Sequence, residues 1–377
     1  MLGLRILSVV FVGGLISMTR YLYLDNLRAV LMVLGLVLHT CAAFSADQYW
    51  LVSYTQSLPW AYAAADAIHI FRMPLFFMVS GFFAFVLLQK QSVRNFCLTK
   101  VKRIGWPLIS VLLLINIPSF YILSYVSGLA QYTYVNAGDF AGHLWFLINL
   151  LVYFCAYACI HFVVARIRPP EDKLRAAMFM LLILLTIPIF HLCILALNKV
   201  GIPIYSSLPV IGSIYSIFSY LDYFLIGVMF ALLTHQSMLL VLASYMGVLV
   251  FLPLLLIGAL PWWLPSIINV ITLPYIEHIQ AITVSLFVWL GATLIFATQS
   301  WWSKGLSAAS YSIYLFHHAI IIALVLGLNT INHAANIVIN PYLAFTLVLG
   351  LSFAFTVFIH FLVVTRSTKL QLMFNGR

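Results

Sequence analysis

The stretch Leu24-Asp25-Asn26-Leu27-Arg28-Ala29-Val30-Leu31-Met32-Val33-Leu34-Gly35-Leu36-Val37-Leu38-His39-Thr40-Cys41-Ala42-Ala43-Phe44-Ser45 decides how this chain folds. About 20 apolar residues cross the hydrocarbon core of a bilayer as a helix, and residues 24–45 have that length and that composition. Two ionisable side chains interrupt the apolar run. Arg28 and His39 stand 11 positions apart, three helical turns, so they share one face and lie roughly 16 Å from each other along the axis. Asp25, one turn before Arg28, can pair with it or sit at the helix N-terminus. A snorkelling arginine and a hydrogen-bonded core histidine would give the same spacing. Spacing alone therefore leaves the function open.

Outward from this segment the chain repeats the pattern. Its 377 residues are 64% hydrophobic and 7% charged, against about a quarter charged in soluble domains, and no polar stretch is long enough to form a soluble domain. The reading is an all-α integral membrane protein of about ten transmembrane helices around a central polar cavity. Spans are expected near 24–45, 62–89, 102–126, 143–166, 176–197, 209–233, 237–258, 279–299, 305–328 and 341–364. Residues 259–278, with Pro261, Trp262, Trp263, Pro265 and Pro274, read as an interfacial loop or re-entrant piece, since tryptophan suits the headgroup level.

The cations orient the bundle. With the start of the first span facing the cytoplasm, all but three of the 18 basic residues fall in inner loops and termini. The exceptions are Lys199 outside, and Arg28 and Arg72 within spans. That is the positive-inside bias, and it places both termini in the cytoplasm of a bacterial inner-membrane protein. The formal charge of +10 then reports topology, not nucleic-acid binding. Residues 21–366 form the transmembrane domain and 367–377 a cytoplasmic tail. Residues 1–20 are an N-terminal extension: 6–18 are apolar but too short to span. A secretory leader without a small-residue cleavage site before Tyr21 and translation from Met18 are the two readings. The cysteines at 41, 97, 155, 159 and 193 show no disulfide framework and no metal spacing.

Ionisable groups within a bilayer are costly and tend to face the bundle interior. The second span carries Asp66, His69 and Arg72 at i, i+3 and i+6, followed by Pro74, which kinks a helix and frees carbonyls where a cavity is lined. A structural ion pair is the alternative. The fourth span opens with His143-Leu144-Trp145-Phe146, an interfacial anchor or a ligand-facing group. In the ninth, Ser310-Tyr311-Ser312-Ile313-Tyr314-Leu315-Phe316-His317-His318 ends on adjacent histidines that point to different sides of a helix, so one of them is expected at the cavity. Asp222 and Glu277 are further candidates, whereas His161, His191 and His360 read as satisfied core or interface histidines.

These residues carry a resemblance. The chain resembles the acyltransferase 3 family of membrane acyltransferases in Asp25-x-x-Arg28-x10-His39, in Phe71-Arg72-x-x-x-Phe76-Phe77-x-x-Ser80-Gly81, and in Ser310-Tyr311-x-x-Tyr314-Leu315-x-His317. Within that family, Ile68 to Met73, His143 to Leu147, Lys100 to Gly105 and the His317-His318 pair are similar to the branch that succinylates periplasmic glucans. Ala319 departs from that branch, where a proline would follow the histidines.

The resemblance implies transfer of an acyl group from cytoplasmic acyl-CoA, succinyl-CoA or acetyl-CoA, to a sugar hydroxyl on the periplasmic side, with no permanently bound cofactor and no metal. His39, Arg28 and Asp25 are the catalytic candidates. Asp66, His69, Arg72, Ser80, His143, Trp145, His317 and His318 are the substrate-binding ones. The basic stretch Lys90 to Arg103 and Arg28 offer cations to a phosphorylated donor, and an unperturbed imidazole suits hydroxyl activation near neutral pH. The expected acceptor is an osmoregulated periplasmic glucan. Another envelope polysaccharide taking acetyl is the second enzyme reading, and a proton-coupled secondary transporter is the reading of another class.

Overall fold

In the computed structural model, residues 21–47, 50–126, 141–164, 197, 199–202, 207–208, 212–232, 265–296 and 301–377 are described. Helix α1 (Leu22–Ala43) is followed by α2 (Ala61–Leu88), with Pro74 inside it. Helix α3 is compound: α segments Val93–Lys100, Trp106–Val111 and Ile117–Val126 are joined by π-helical turns at Val101–Gly105 and Leu112–Asn116. Each π turn ends just before a proline, Pro107 or Pro118. A proline ring clashes with the carbonyl four residues earlier, and widening the turn relieves that clash.

Then come α4 (Trp145–Val164), the short α5 (Ile214–Ser219), α6 (Leu221–Leu232), α7 (Pro265–Ile295), α8 (Trp301–Ala335), α9 (Pro341–Phe358) and α10 (Thr368–Asn375). Among the described residues the only strands are Ser207–Leu208 and Gly212–Ser213, a minimal antiparallel hairpin.

Seven of the described helical stretches are long and apolar enough to cross a membrane, and Tyr215–Ala231 is a shorter apolar one. The expected spans at 176–197 and 237–258 lie outside the described residues save for Leu197, as do residues 1–20. Two expectations are corrected. The third span starts nine residues early, at Val93, because the Ser92 hydroxyl caps the helix by accepting from the Asn95 N–H at 3.3 Å. Much of the expected basic loop is thus helical. Residues 265–278 are not a loop but the first half of α7: Pro265 occupies its first turn, where no N–H is needed, and a membrane helix tolerates Pro274 further in.

The packing is inverted relative to a soluble protein. On α9 and its π-helical continuation, Ser352, Thr356 and His360 repeat at i, i+4 and i+8 and are almost fully buried, whereas Phe355 is 48% and Phe358 55% exposed. His360 Nδ1 and the Ser312 hydroxyl share a hydrogen bond at 2.9 Å, tying α9 to α8. Polar groups glue helices together inside, and the apolar rings face lipid. The C-terminal residues are structured as well. Phe374 of α10 packs on Phe316 at 5.2 Å, and Gly376, in the left-handed region at φ 63°, lies against the backbone of Lys102 and Arg103.

Helix α1 lies between α2 and α8, and α2 packs closely on α6. The α2–α6 crossing is made by reciprocal glycines. A Cβ on Gly81 would strike the Phe224 carbonyl, and one on Gly227 would strike the Met78 carbonyl. Small residues let helix backbones approach in this way. Gly81→Val or Gly227→Val is expected to destabilise the protein by about 1–3 kcal/mol through overpacking, read as a lower thermal unfolding midpoint in detergent. Gly350→Ala, where a Cβ meets nothing within 4 Å, is expected to leave the midpoint unchanged or raise it.

Candidate functional site

A cavity of about 520 Å³ opens between α1, α2, the start of α4 and α8. That volume lies within the usual range for small-molecule sites. His39 from α1, Asp66, His69 and Arg72 from α2, and His143 and Trp145 at the head of α4 all line it. Six of the residues singled out from the sequence are therefore brought together from three separate segments.

Arg72 is the charged centre of this cavity. Its Nη2 donates to the Met73 sulfur at 3.2 Å, and no carboxylate pairs with it among the described residues. The guanidinium rests against α1 at Gly35, where any Cβ would collide with Nη1. Gly35 was not among the candidates, yet a signal was present. It stands one turn before His39 on the same face, and a glycine there leaves a notch in that face. A guanidinium inside a membrane protein without an acid beside it is costly, and an anionic ligand or a developing oxyanion would offset that cost.

His143 is delivered by a 3-10 turn, Gly142–Leu144, ahead of α4. Gly142 has φ 49°, a left-handed value that glycine adopts without strain. Asn116 donates to the Ala141 carbonyl at 2.9 Å, and the Tyr314 hydroxyl donates to the His143 carbonyl at 2.7 Å, so α3 and α8 both anchor the turn.

Both His317 and His318 pack against His39 and His143, but neither lines the cavity, where one of them was expected. Ring centroids lie 5.3 Å apart for His39–His317, 5.2 Å for His39–His318, 5.4 Å for His143–His317 and 4.6 Å for the stacked His143–His318 pair. Neighbouring side chains diverge by about 100° on a helix, but His39 of α1 and His143 of the turn each pack against both rings. His317 and His318 stand behind the two that line the cavity, 1% and 6% exposed.

Ser80 is placed away from the cavity lining. Its hydroxyl donates to the Phe76 carbonyl of its own helix at 2.8 Å. Arg28 also lies elsewhere, exposed, with its guanidinium carbon 5.7 Å from the Phe76 ring and 5.8 Å from that of Phe83. Asp25 is its acidic neighbour one turn earlier. At this end of the bundle the Lys100 ammonium sits 4.0 Å from the Phe154 ring centroid, a cation–π contact, and Tyr311 donates to the Arg103 carbonyl at 3.4 Å. The molecule thus has a basic end around Arg28 and a cavity around His39, on one face of a single helix.

The sequence reading missed Asp47, Trp50 and Tyr62, which also line the cavity. Trp50 stacks near His39 at 5.5 Å and His318 at 5.1 Å. Asp47 and Trp50 sit in the α1–α2 connection, where no periodicity marks them, whereas Tyr62 stands on α2 one turn before Asp66, at a helical spacing that could have found it. His278 was missed too: it pairs with Asp222 at 2.5 Å and shares a 2.9 Å hydrogen bond with the Tyr223 hydroxyl, cross-linking α6 to α7 away from the cavity. Glu277 is exposed and lies outside the lining. No group of histidine, cysteine or acidic side chains among the described residues is arranged to hold a metal.

Comparison with known proteins follows this geometry. The acyltransferase 3 model, described as an acyltransferase domain, matches residues 21–361. Glucans biosynthesis protein C of Escherichia coli K12 is 34% identical over 142 residues, 35% of this chain and 37% of that protein; the same figures hold for its counterparts in Shigella dysenteriae serotype 1 and Escherichia coli O1:K1. The aligned stretch thus spans little more than a third of these relatives' length. No solved structure matches. With the family model spanning nearly the whole chain, this protein belongs to the acyltransferase 3 family of membrane acyltransferases.

Proposed function

We propose that the protein is an inner-membrane O-acyltransferase that moves a succinyl group from cytoplasmic succinyl-CoA to hydroxyls of a periplasmic glucan. The observation that carries the reading is the cavity in which a half-buried imidazole, His39, and an unneutralised guanidinium, Arg72, face one space. That pair supplies what acyl transfer to a hydroxyl needs: a base for the hydroxyl proton and a cation for the oxyanion of the tetrahedral intermediate.

The order of events follows from the roles. His39 takes the proton of the acceptor hydroxyl as that oxygen attacks the thioester carbonyl. The carbon–sulfur bond breaks, and the leaving thiolate takes the proton back from His39. Arg72 holds the oxyanion or, for a succinyl donor, the terminal carboxylate; an acetyl donor would offer it the oxyanion alone. Trp50, Tyr62 and Trp145 offer aromatic faces to sugar rings, and Asp47 and Asp66 offer acceptors to their hydroxyls. This rim suits a neutral carbohydrate. Arg28, with the cations near it on α3, would hold the donor's phosphates at the opposite end, so the thioester arm would run along α1 towards His39. The partial likeness to glucans biosynthesis proteins supports a glucan acceptor.

His39→Ala is expected to lower transfer by roughly 10²- to 10⁴-fold, the range for a positioned proton acceptor, while the variant inserts and unfolds like the wild type. Mass spectra of periplasmic glucans from cells carrying the gene, lacking it, or carrying His39→Ala are the check. Succinyl esters present only with the intact gene support the reading. Unmodified glucans in all three strains reject this acceptor, and acetyl on surface polysaccharide would then mark the second reading. Gly35→Ala is expected to displace the Arg72 guanidinium and reduce kcat by roughly 100-fold, the scale of a 1 Å misplacement. Steady-state kinetics on protein in nanodiscs tests it, and undiminished kcat would remove Arg72 from the transition state.

A further inference from the structure

Four nitrogens in the histidine cluster are buried without a partner, both of His143 and one each on the facing rings of His39 and His317. The latter two are His39 Nδ1 and His317 Nε2, and the ring centroids are 5.3 Å apart. Buried polar atoms without partners are rare enough in native proteins that each needs a reason. For His39 and His317, the other nitrogen of each ring supplies it.

His317 Nδ1 lies 3.0 Å from the Ile313 carbonyl and 2.7 Å from the Tyr314 carbonyl. A carbonyl only accepts, so Nδ1 must carry the proton, and a neutral ring then leaves a lone pair on Nε2. The helix backbone has fixed both the tautomer and the orientation of this ring. His39 is the complement. Its Nδ1 is buried and unpartnered, whereas Nε2 is not among the buried unpartnered atoms and His39 lines the cavity. Nε2 is the atom that a substrate meets.

We infer that His317 is the positioning residue of His39: its Nε2 lone pair accepts a hydrogen bond from His39 Nδ1–H, so that the His39 Nε2 lone pair faces the acceptor hydroxyl. A base whose far nitrogen is held by a third group is the arrangement that nucleophile activation requires. Here the third group is a neutral imidazole, itself held by two backbone carbonyls, where a carboxylate often serves. During transfer the hydroxyl proton moves to His39 Nε2 and later to the leaving thiolate. The Nδ1 proton stays in its bond to His317 throughout, so the relay neither gains nor loses a proton. His317 being held by its helix, the His39 ring is the one that adjusts, and such bonds often tighten only when substrate binds. His318 lies equally near His39, but neither of its nitrogens is a buried orphan.

The inference rests on His39 being the base, and the experiment separates the two. Full-length protein in nanodiscs is assayed with succinyl-CoA and a short glucan as His39→Ala, His317→Ala, His317→Phe, His317→Gln and His318→Ala. The Gln amide can donate to the carbonyls and accept from His39, whereas Phe fills the space and does neither. Expected is a kcat loss of roughly 10²- to 10⁴-fold in His317→Ala and His317→Phe, the range between losing a proton acceptor and holding a base in the wrong tautomer. Substrate KM stays within about twofold, and His317→Gln recovers at least tenfold over His317→Phe. Nitrogen-15 spectra of histidine-labelled protein give a readout independent of turnover: His39 is protonated at Nδ1 in the wild type and in His318→Ala, and loses that preference in His317→Phe. Wild-type kcat in His317→Phe, or Gln no better than Phe, overturns the inference while His39 stands. Activity retained in His39→Ala rejects the base itself, and the need for a positioning partner goes with it.

Discussion

A guanidinium held inside a helix bundle is the constraint around which this structure is arranged. Arg72 lies on α2, rests in the gap that Gly35 leaves on α1, and meets no carboxylate among the described residues. In a medium of low polarity such a charge persists only where the surrounding helices form a cavity that admits water or an anion. The bundle has that shape. The α2–α6 crossing at Gly81 and Gly227 and the packing of α1 between α2 and α8 hold the walls, and the cavity is the space they do not fill. The site and the fold are thus one problem in packing, because even a methyl group on Gly35 would require the guanidinium to shift.

The histidines show a second use of the same scarcity of water. Four rings meet at the cavity, two lining it and two behind them; backbone carbonyls hold His317 Nδ1, while His39 Nδ1, both His143 nitrogens and His317 Nε2 are buried without a partner. A soluble protein would hydrate such groups. Here the helix carbonyls of Ile313 and Tyr314 fix one ring, and the His143 turn is pinned through its carbonyl by Tyr314 and through Ala141 by Asn116. Preorganisation of this kind removes the need to reorient dipoles when charge develops. The lipid-facing surface needs no such care, and its exposed phenylalanines and leucines are placed for solvation by hydrocarbon.

The basic end and the cavity are joined by α1, which carries Arg28 and His39 on one face. Helix α10 closes back on α3 beside Arg103, so the C-terminal residues take part in the basic end and do not trail from it. In the proposed reaction, donor and acceptor would bind at these two ends and meet at His39.

Much of this was legible in the residues alone. Hydropathy marks the long helices because a bilayer demands uninterrupted apolar length. The few ionisable residues in those helices mark the cavity because burying them needs a reason, and Asp66, His69, Arg72, His39 and His143 were found that way. What sequence could not supply is the relation between segments. Asp47 and Trp50 carry no period and join the site only through the path of a connection. Ser80 fits a motif yet bonds to its own helix. Two adjacent histidines diverge on any helical wheel, and only the packing of α1 and the His143 turn against α8 brings both into one cluster. Solvation is a property of each residue and its neighbours along the chain, so the sequence determined the membrane helices and their buried charges. Which side chains share a cavity depends on how close helices far apart in sequence can approach, and that was decided by packing.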